Sequence, residues 1–173
     1  QGLLLLTAHY GNFEILGYLF AIFGFPTASV ARPLDNPYVS RWLFGVREKL
    51  GQRLIVKKGA TEDVVEEMER HGTGAFVADQ NSGAKGIFVD FFGRKASTYN
   101  SIGLVAMQYN APVVVGYARR VNDEFKFVAG VQDVIYPDDW KDQPDPLRYI
   151  TQRYTRAIED FIRLDPAQYW WVH

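Results

Sequence analysis

The residues best suited to do chemistry sit at the start of the chain. Leu3-Leu4-Leu5-Leu6 runs through Thr7-Ala8 to His9, and Glu14 follows after four intervening residues. Four consecutive leucines are too few to cross a bilayer and fit a buried strand; His-x-Gly-Asn then reads as a turn, with a helix predicted to begin near Asn12. This places His9 at a strand end and Glu14 in the first turn of the helix, facing back. A carboxylate that accepts from one imidazole nitrogen fixes the tautomer, so the other nitrogen can take a proton from a hydroxyl or amine. The competing reading is a structural histidine hydrogen-bonded beside a core strand.

The elements that must position this pair follow from periodicity and breakers. Residues 12–24 form a short helix, apolar nearly all round and ended by Gly24 and Pro26; such a helix is buried or lies against lipid, with core burial the commoner case. Thr27 to Ala31 reads as a strand, Arg32-Pro33-Leu34-Asp35-Asn36-Pro37 as a turn, 38–50 as a helix closed by Gly51, and Leu54-Ile55-Val56 as a strand. Thr61 is placed to cap the next helix, whose acidic run from Glu62 to Glu69 reads as a solvated face. Ala75 to Ala78 is a strand ending in Asp79-Gln80-Asn81-Ser82-Gly83. A helix from Ser97 or Thr98 to Tyr109, strands at Val113 to Tyr117 and Phe125 to Ala129, and a helix from Pro146 to Leu164 with Ile150, Tyr154, Ile158, Phe161 and Ile162 on one stripe complete the reading. Strand and helix alternate, so the predicted fold is a single α/β domain with a largely parallel sheet flanked by helices on both faces. Functional groups gather at the carboxyl edge of such sheets, where His9, Arg32 and Asp79-Gln80 are expected.

Composition narrows the chemistry. At 173 residues the chain suits one domain, and a net charge of −1 argues against a nucleic-acid partner. Without Cys there is no disulfide, thiol nucleophile or thiolate site, and His9, His71 and His173 are too scattered to suggest a metal cluster. The 15% aromatic content suits an apolar groove with polar rims. No run reaches the roughly 18–20 apolar residues needed to span a bilayer, and these residues include no basic n-region with a cleavage site.

In order along the chain, His9-x4-Glu14, Arg32-Pro33-Leu34-Asp35-Asn36-Pro37, Asp79-Gln80, Val89-Asp90-Phe91-Phe92-Gly93 and Pro166-x-Gln168-Tyr169-x-Trp171-x-His173 resemble the blocks of the lysophospholipid acyltransferase superfamily. Within it the chain is similar to the lipid A biosynthesis branch, the lauroyl and myristoyl transferases. The glutamate of the His-x4-Glu motif favours that branch, since most glycerolipid members carry Asp there, and mycobacterial mannoside acyltransferases share the Glu. The chain opens at Gln1 and stops at His173, where the family usually continues with basic residues, so an acyltransferase domain trimmed at both ends, 1–173, is expected.

The resemblance implies a glycerolipid acyltransferase-like fold and O-acyl transfer from an acyl carrier protein or CoA thioester to a hydroxyl of a lipid A precursor or related glycolipid. It implies no cofactor beyond that co-substrate. His9 would be the general base and Glu14 its orienter. Gly11 and Asn12 would shape the turn, Asn12 also capping the helix. Arg32 would hold an acceptor phosphate, or be a surface arginine paired with Asp35. Asp79 and Gln80 would line the acceptor pocket or tie down a loop. Phe92-Gly93 would let a ligand approach the backbone and offer an N–H to an oxyanion, or be an ordinary turn, and Arg94 with Lys95 would meet acceptor phosphates or the donor's phosphopantetheine, or be exposed charges with no specific role. Partners would be the lipid acceptor, the thioester and the cytoplasmic face of a bacterial inner membrane, with Tyr169-Trp170-Trp171 packing or lying at that interface. Absence of Cys and of a Gly-x-Ser-x-Gly elbow favours direct transfer over an acyl-enzyme. A different glycolipid or lysophospholipid acceptor, a hydrolase using the same pair on water, and a lipid-binding module without turnover remain alternatives.

Overall fold

The computed structural model describes residues 2–31, 33–49, 51–56 and 60–172. Its strands are β1 (Leu3–Thr7), β2 (Thr27–Ala31), β3 (Arg53–Val56), β4 (Thr73–Val77), β5 (Ile87–Phe91), β6 (Arg94–Thr98), β7 (Val113–Arg120) and β8 (Phe127–Ile135). Six of them form one sheet in the order β3-β2-β4-β1-β7-β8, parallel except where β8 runs antiparallel to β7. The helices are α1 (Phe13–Ile22), α2 (Pro37–Lys49), α3 (Ala60–Glu69), α4 (Ser101–Tyr109), α5 (Pro137–Trp140) and α6 (Pro146–Ile162). The chain is an α/β protein with a mostly parallel mixed sheet, as its strand-helix alternation predicts.

The leucine run is apolar throughout because β1 is central and covered on both faces: Leu4, Leu5 and Leu6 are all buried. Leu4 and Leu6 pair with Val113 and Val115, so these side chains share one face, over which α6 lies. The predicted stripe of α6 is the heart of that layer, with Ile150, Tyr154, Ile158, Phe161 and Ile162 at most 2% exposed. Asp145 caps the helix by accepting from the Arg148 N–H, and the Phe161 ring meets Tyr10 and Tyr117 at 5.2 and 5.5 Å. Phe161→Ala is expected to destabilise the fold by about 3–5 kcal/mol, read by urea unfolding. A loss under about 1 kcal/mol would show that this layer is not the core.

The structure differs from the sequence reading at several points. Residues 94–98 form β6, an antiparallel partner of β5, rather than the start of a helix. Phe92 and Gly93 have φ of 49° and 73°, the two left-handed positions of a tight hairpin turn, which returns the chain before α4 begins at Ser101. Thr61 lies within α3, not at its cap, because the helix has already started by Ala60. The acidic face of α3 is partly engaged, with Glu66 and Glu67 paired to Arg53. Finally, α1 is not a core helix: Leu16 is its one fully buried residue, while Ile22, Phe23 and the following Phe25 are more than half exposed.

Candidate active site

β1 and β4 are neighbours in register, Leu3 opposite Thr73 through Thr7 opposite Val77. Continuing that register two residues beyond the strand ends sets His9 beside Asp79. The Ala78 N–H still donates to the Thr7 carbonyl at 2.8 Å, which carries the pairing past the strands. Asp79 then grips His9 twice: Oδ2 accepts the His9 backbone N–H at 2.8 Å, and Oδ1 lies 2.8 Å from Nδ1. The Asp79 side chain is 1% exposed and that of His9 15%, so the carboxylate sits behind the ring and the ring keeps an edge toward solvent. Tyr169 adds its hydroxyl to Asp79, and burial first, then this carboxylate, raises the Tyr169 pKa well above that of a free phenol.

The closing segment of the chain is a strap over the histidine turn. The Trp170 N–H donates to the His9 carbonyl at 3.0 Å, and the Gly11 N–H to the Gln168 carbonyl at 3.0 Å. Gln168 also clamps the end of β7, its side chain accepting from the Arg120 N–H and donating to the Arg120 carbonyl. The Trp170 and Phe13 rings stand edge-on to the His9 ring at 5.8 and 5.2 Å. Packing therefore describes Tyr169, whereas Trp170 is 58% exposed and helps wall the ring. Tyr10, beside His9, is buried against Phe161; burial, then Asp165, pushes its phenol to about 12 against the opposing pull of Arg119.

The expected His9–Glu14 contact is corrected. Glu14 does sit in the first turn of α1, but its Oε2 accepts from Arg47 Nε at 2.9 Å and its Oε1 from Arg47 Nη2. A guanidinium fork on α2 matches both carboxylate oxygens and takes the side chain away from the imidazole. The carboxylate on His9 Nδ1 is that of Asp79. Sequence reasoning missed it because only the order of strands in the sheet makes β4 the neighbour of β1, and missed Arg47 because the spacing of α2 residues says nothing about what they face.

Among the other expected site residues, Asn12 caps α1 by accepting from the Ile15 N–H at 3.1 Å. Gly11 has φ of 55°, and a Cβ there would meet the Ala118 carbonyl oxygen at 2.1 Å, so this position requires glycine for the turn itself. Gln80 is exposed and borders the same groove as Asp79. Arg94 is exposed on β6. Arg32 and His173 lie outside the described residues.

Phe92 offers no N–H to an oxyanion, because that group donates to Glu159 Oε2 at 2.7 Å. Glu159 lies on α6 with its side chain 4% exposed and also accepts from Arg163, whose guanidinium stacks 4.8 Å over the Phe92 ring. Burial alone would raise the Glu159 pKa, but Arg163 and the Phe92 N–H outweigh it and hold the carboxyl below its ordinary value. A depressed pKa contributes stability that is full above the unfolded value of about 4.3 and is lost as pH falls through the folded value. Glu159→Gln is expected to cost about 1–2 kcal/mol at neutral pH, discounted for the exposure of Arg163. The gap from wild type in thermal melts should close in acid, and a gap that widens there would reverse the assignment.

Two spaces lie on opposite faces of the sheet, the larger of them bordered by Asp79. A groove of about 370 Å³ runs between the β5–β6 hairpin and α6, with Asp79, Gln80, Lys95 and Ser97 as polar lining and Phe88, Phe91 and Ile158 as apolar lining. On the other side, between α1 and the sheet, lies a narrow cavity of about 70 Å³. The larger groove, with polar and apolar lining, can hold both kinds of substrate surface beside Asp79.

Comparison with protein families matches the model for bacterial lipid A biosynthesis acyltransferases over residues 1–173. The chain belongs to this family. It is therefore an acyltransferase of the lipid A biosynthesis type, with an acyl donor and a lipid acceptor as substrates. A search of curated proteins found no match. Among the described residues no helix of this acyltransferase is long and apolar enough to cross a membrane.

Proposed function

We propose that the chain transfers a fatty acyl group from a carrier-protein or CoA thioester to a hydroxyl of a lipid A precursor, with His9 as general base and Asp79 as its orienter. The observation that carries this reading is Asp79 Oδ1 at 2.8 Å from His9 Nδ1, which leaves Nε2 as the nitrogen for the acceptor. Nε2 takes the hydroxyl proton as the oxygen attacks the thioester carbonyl; the new C–O bond forms, the C–S bond breaks, and the imidazolium returns its proton to the departing thiolate. The proton ends on the thiol, so no covalent enzyme intermediate is required. Glu14 and Arg47 join α1 to α2 and set the helix that carries Phe13 against His9. Gln80, Arg94 and Lys95, on the rim of the larger groove or beside it, favour a phosphorylated or otherwise polar portion of a substrate.

Acyl thioester supplied with and without lipid A precursor tests the reaction. Acylated precursor with little free fatty acid is the expected result. Free acid released at an equal rate whether or not precursor is present would identify a hydrolase instead.

The membrane surface is the natural source of the acceptor, and the apolar groups that α1 leaves exposed suit it. Ile22, Phe23 and Phe25 project from its end, and Tyr38 and Trp42 are exposed on α2 with Arg41 between them. Replacing Phe23 and Phe25 by Ser is expected to reduce co-flotation with anionic phospholipid vesicles severalfold while leaving the melting temperature within a few degrees of wild type. Undiminished flotation would remove this surface from the account.

A further inference from the structure

We infer that the Trp170 ring is a water shield for the base: by walling the His9 imidazole it keeps solvent from Nε2, so that the acyl group passes to the lipid hydroxyl and not to water. This rests on the acyl-transfer function proposed above and names the residue that sets its selectivity against hydrolysis.

The chemistry poses a choice that the His9–Asp79 pair cannot make by itself. An imidazole placed to take a proton from a lipid hydroxyl can take one from water as well. The water oxygen then forms the new C–O bond at the thioester carbonyl, the C–S bond breaks, His9 passes the water proton to the departing thiolate, and the product is free fatty acid. The lipid hydroxyl is brought to the base by the binding of the rest of the acceptor, whereas bulk water needs no binding. Selectivity therefore calls for an apolar enclosure around Nε2, open where the acceptor enters.

The closing segment of the chain builds such an enclosure. Tyr169 is extended, with φ of −90° and ψ of 137°, and pairs across an antiparallel bridge with Tyr10. Side chains alternate along extended backbone, so neighbours leave it on opposite sides. Tyr169 turns inward, 7% exposed, and its hydroxyl reaches Asp79. Trp170 turns the other way, and its ring meets that of His9 at 5.8 Å with the planes 69° apart. One strap thus serves both members of the pair. The Trp170 N–H, bonded to the His9 carbonyl at 3.0 Å, ties the indole to the residue it covers. Phe13, at the head of α1, supplies a second ring at 5.2 Å, and with both in place the His9 side chain is 15% exposed. Burial alone does not account for an indole here, since Trp170 remains 58% exposed and adds far less to the core than a buried aromatic.

The test uses the intact protein with lauroyl thioesters of CoA and of acyl carrier protein, each with lipid A precursor, and measures free fatty acid and acylated precursor from the same reaction. Trp170→Ala is expected to raise the ratio of free acid to acylated precursor by about tenfold as water gains access to the base. Trp170→Phe keeps an apolar ring on the strap and should stay within about twofold of wild type. The added hydrolysis should vanish in the His9→Ala, Trp170→Ala double variant, because water uses the same base. Carbethoxylation of His9 by diethyl pyrocarbonate, followed by mass spectrometry of its peptide, reads the exposure of Nε2 without turnover and should be severalfold faster in Trp170→Ala. The melting temperature should stay within a few degrees of wild type, since the strap keeps its backbone contacts. An unchanged product ratio and an unchanged modification rate in Trp170→Ala, with transfer still dependent on His9, would overturn the shield and leave the proposed function standing. Transfer and vesicle flotation that fall together at an unchanged ratio would make Trp170 a membrane anchor and also overturn the shield. Transfer that survives His9→Ala would overturn the function, while the modification rate would still report on the shield.

Discussion

His9→Ala is expected to lower kcat for acyl transfer by about 10⁴-fold, the upper range for removal of a general acid-base group, with little change in KM for the thioester. The magnitude follows from the double duty of one ring. In the proposed mechanism Nε2 accepts the acceptor proton in the first half of the reaction and returns it to the thiolate in the second, and no other histidine among the described residues stands near. His71, the other one described, is exposed at the turn after α3, ahead of β4. Fold integrity should be preserved, because the hydrogen bonds that hold this turn run from the His9 backbone to Asp79 and Trp170 and do not need the ring. A melting temperature within a few degrees of wild type is the accompanying control, and transfer within about tenfold of wild type would exclude His9 as the base.

Asp79→Asn is expected to lower kcat by about 10²- to 10³-fold with the backbone contact retained. The amide keeps the shape of the carboxylate and an oxygen for the His9 N–H, but it cannot stabilise the imidazolium, and an NH₂ turned toward Nδ1 selects the wrong tautomer. The closest chemical parallel is the orienting aspartate of serine hydrolases, where the same change leaves geometry intact and the rate collapses. Tyr169→Phe should follow in the same direction with a smaller effect, since it removes one of the donors to Asp79 and leaves the pair itself. Equal rates for Asp79→Asn and wild type would mean that Asp79 only ties down its loop.

Much of this arrangement was present in local sequence. The Leu3–Leu6 run announced a buried strand with His9 just beyond its end, Asn12 the cap of α1, and the stripe from Ile150 to Ile162 the core face of α6, because each depends on neighbours a few residues apart. What local sequence did not contain was adjacency. Asp79 was visible as a polar residue at a strand end, yet its role depends on β4 lying next to β1 with Thr7 opposite Val77, a pairing between residues 70 apart. Glu14 looked like the partner of His9 because helical spacing turns it back toward the strand; it went instead to Arg47, whose fork offers two hydrogen bonds where an imidazole offers one. Gln168 stood in the closing motif and Trp170 in the aromatic cluster, but their part in holding the histidine turn emerges only where this segment crosses the end of β7. The Phe92-Gly93 pair read equally as a ligand contact or a turn; the structure shows the turn and gives the Phe92 N–H to Glu159.

The central claim is that Asp79, and not Glu14, sets the state of the His9 ring, and nitrogen-15 NMR of the His9 imidazole tests it most directly. In wild type the account expects the neutral form of the ring to carry its proton on Nδ1 and to leave Nε2 unprotonated, a tautomer unchanged in Glu14→Gln and lost in Asp79→Asn. A ring whose tautomer survives Asp79→Asn but switches in Glu14→Gln would contradict it.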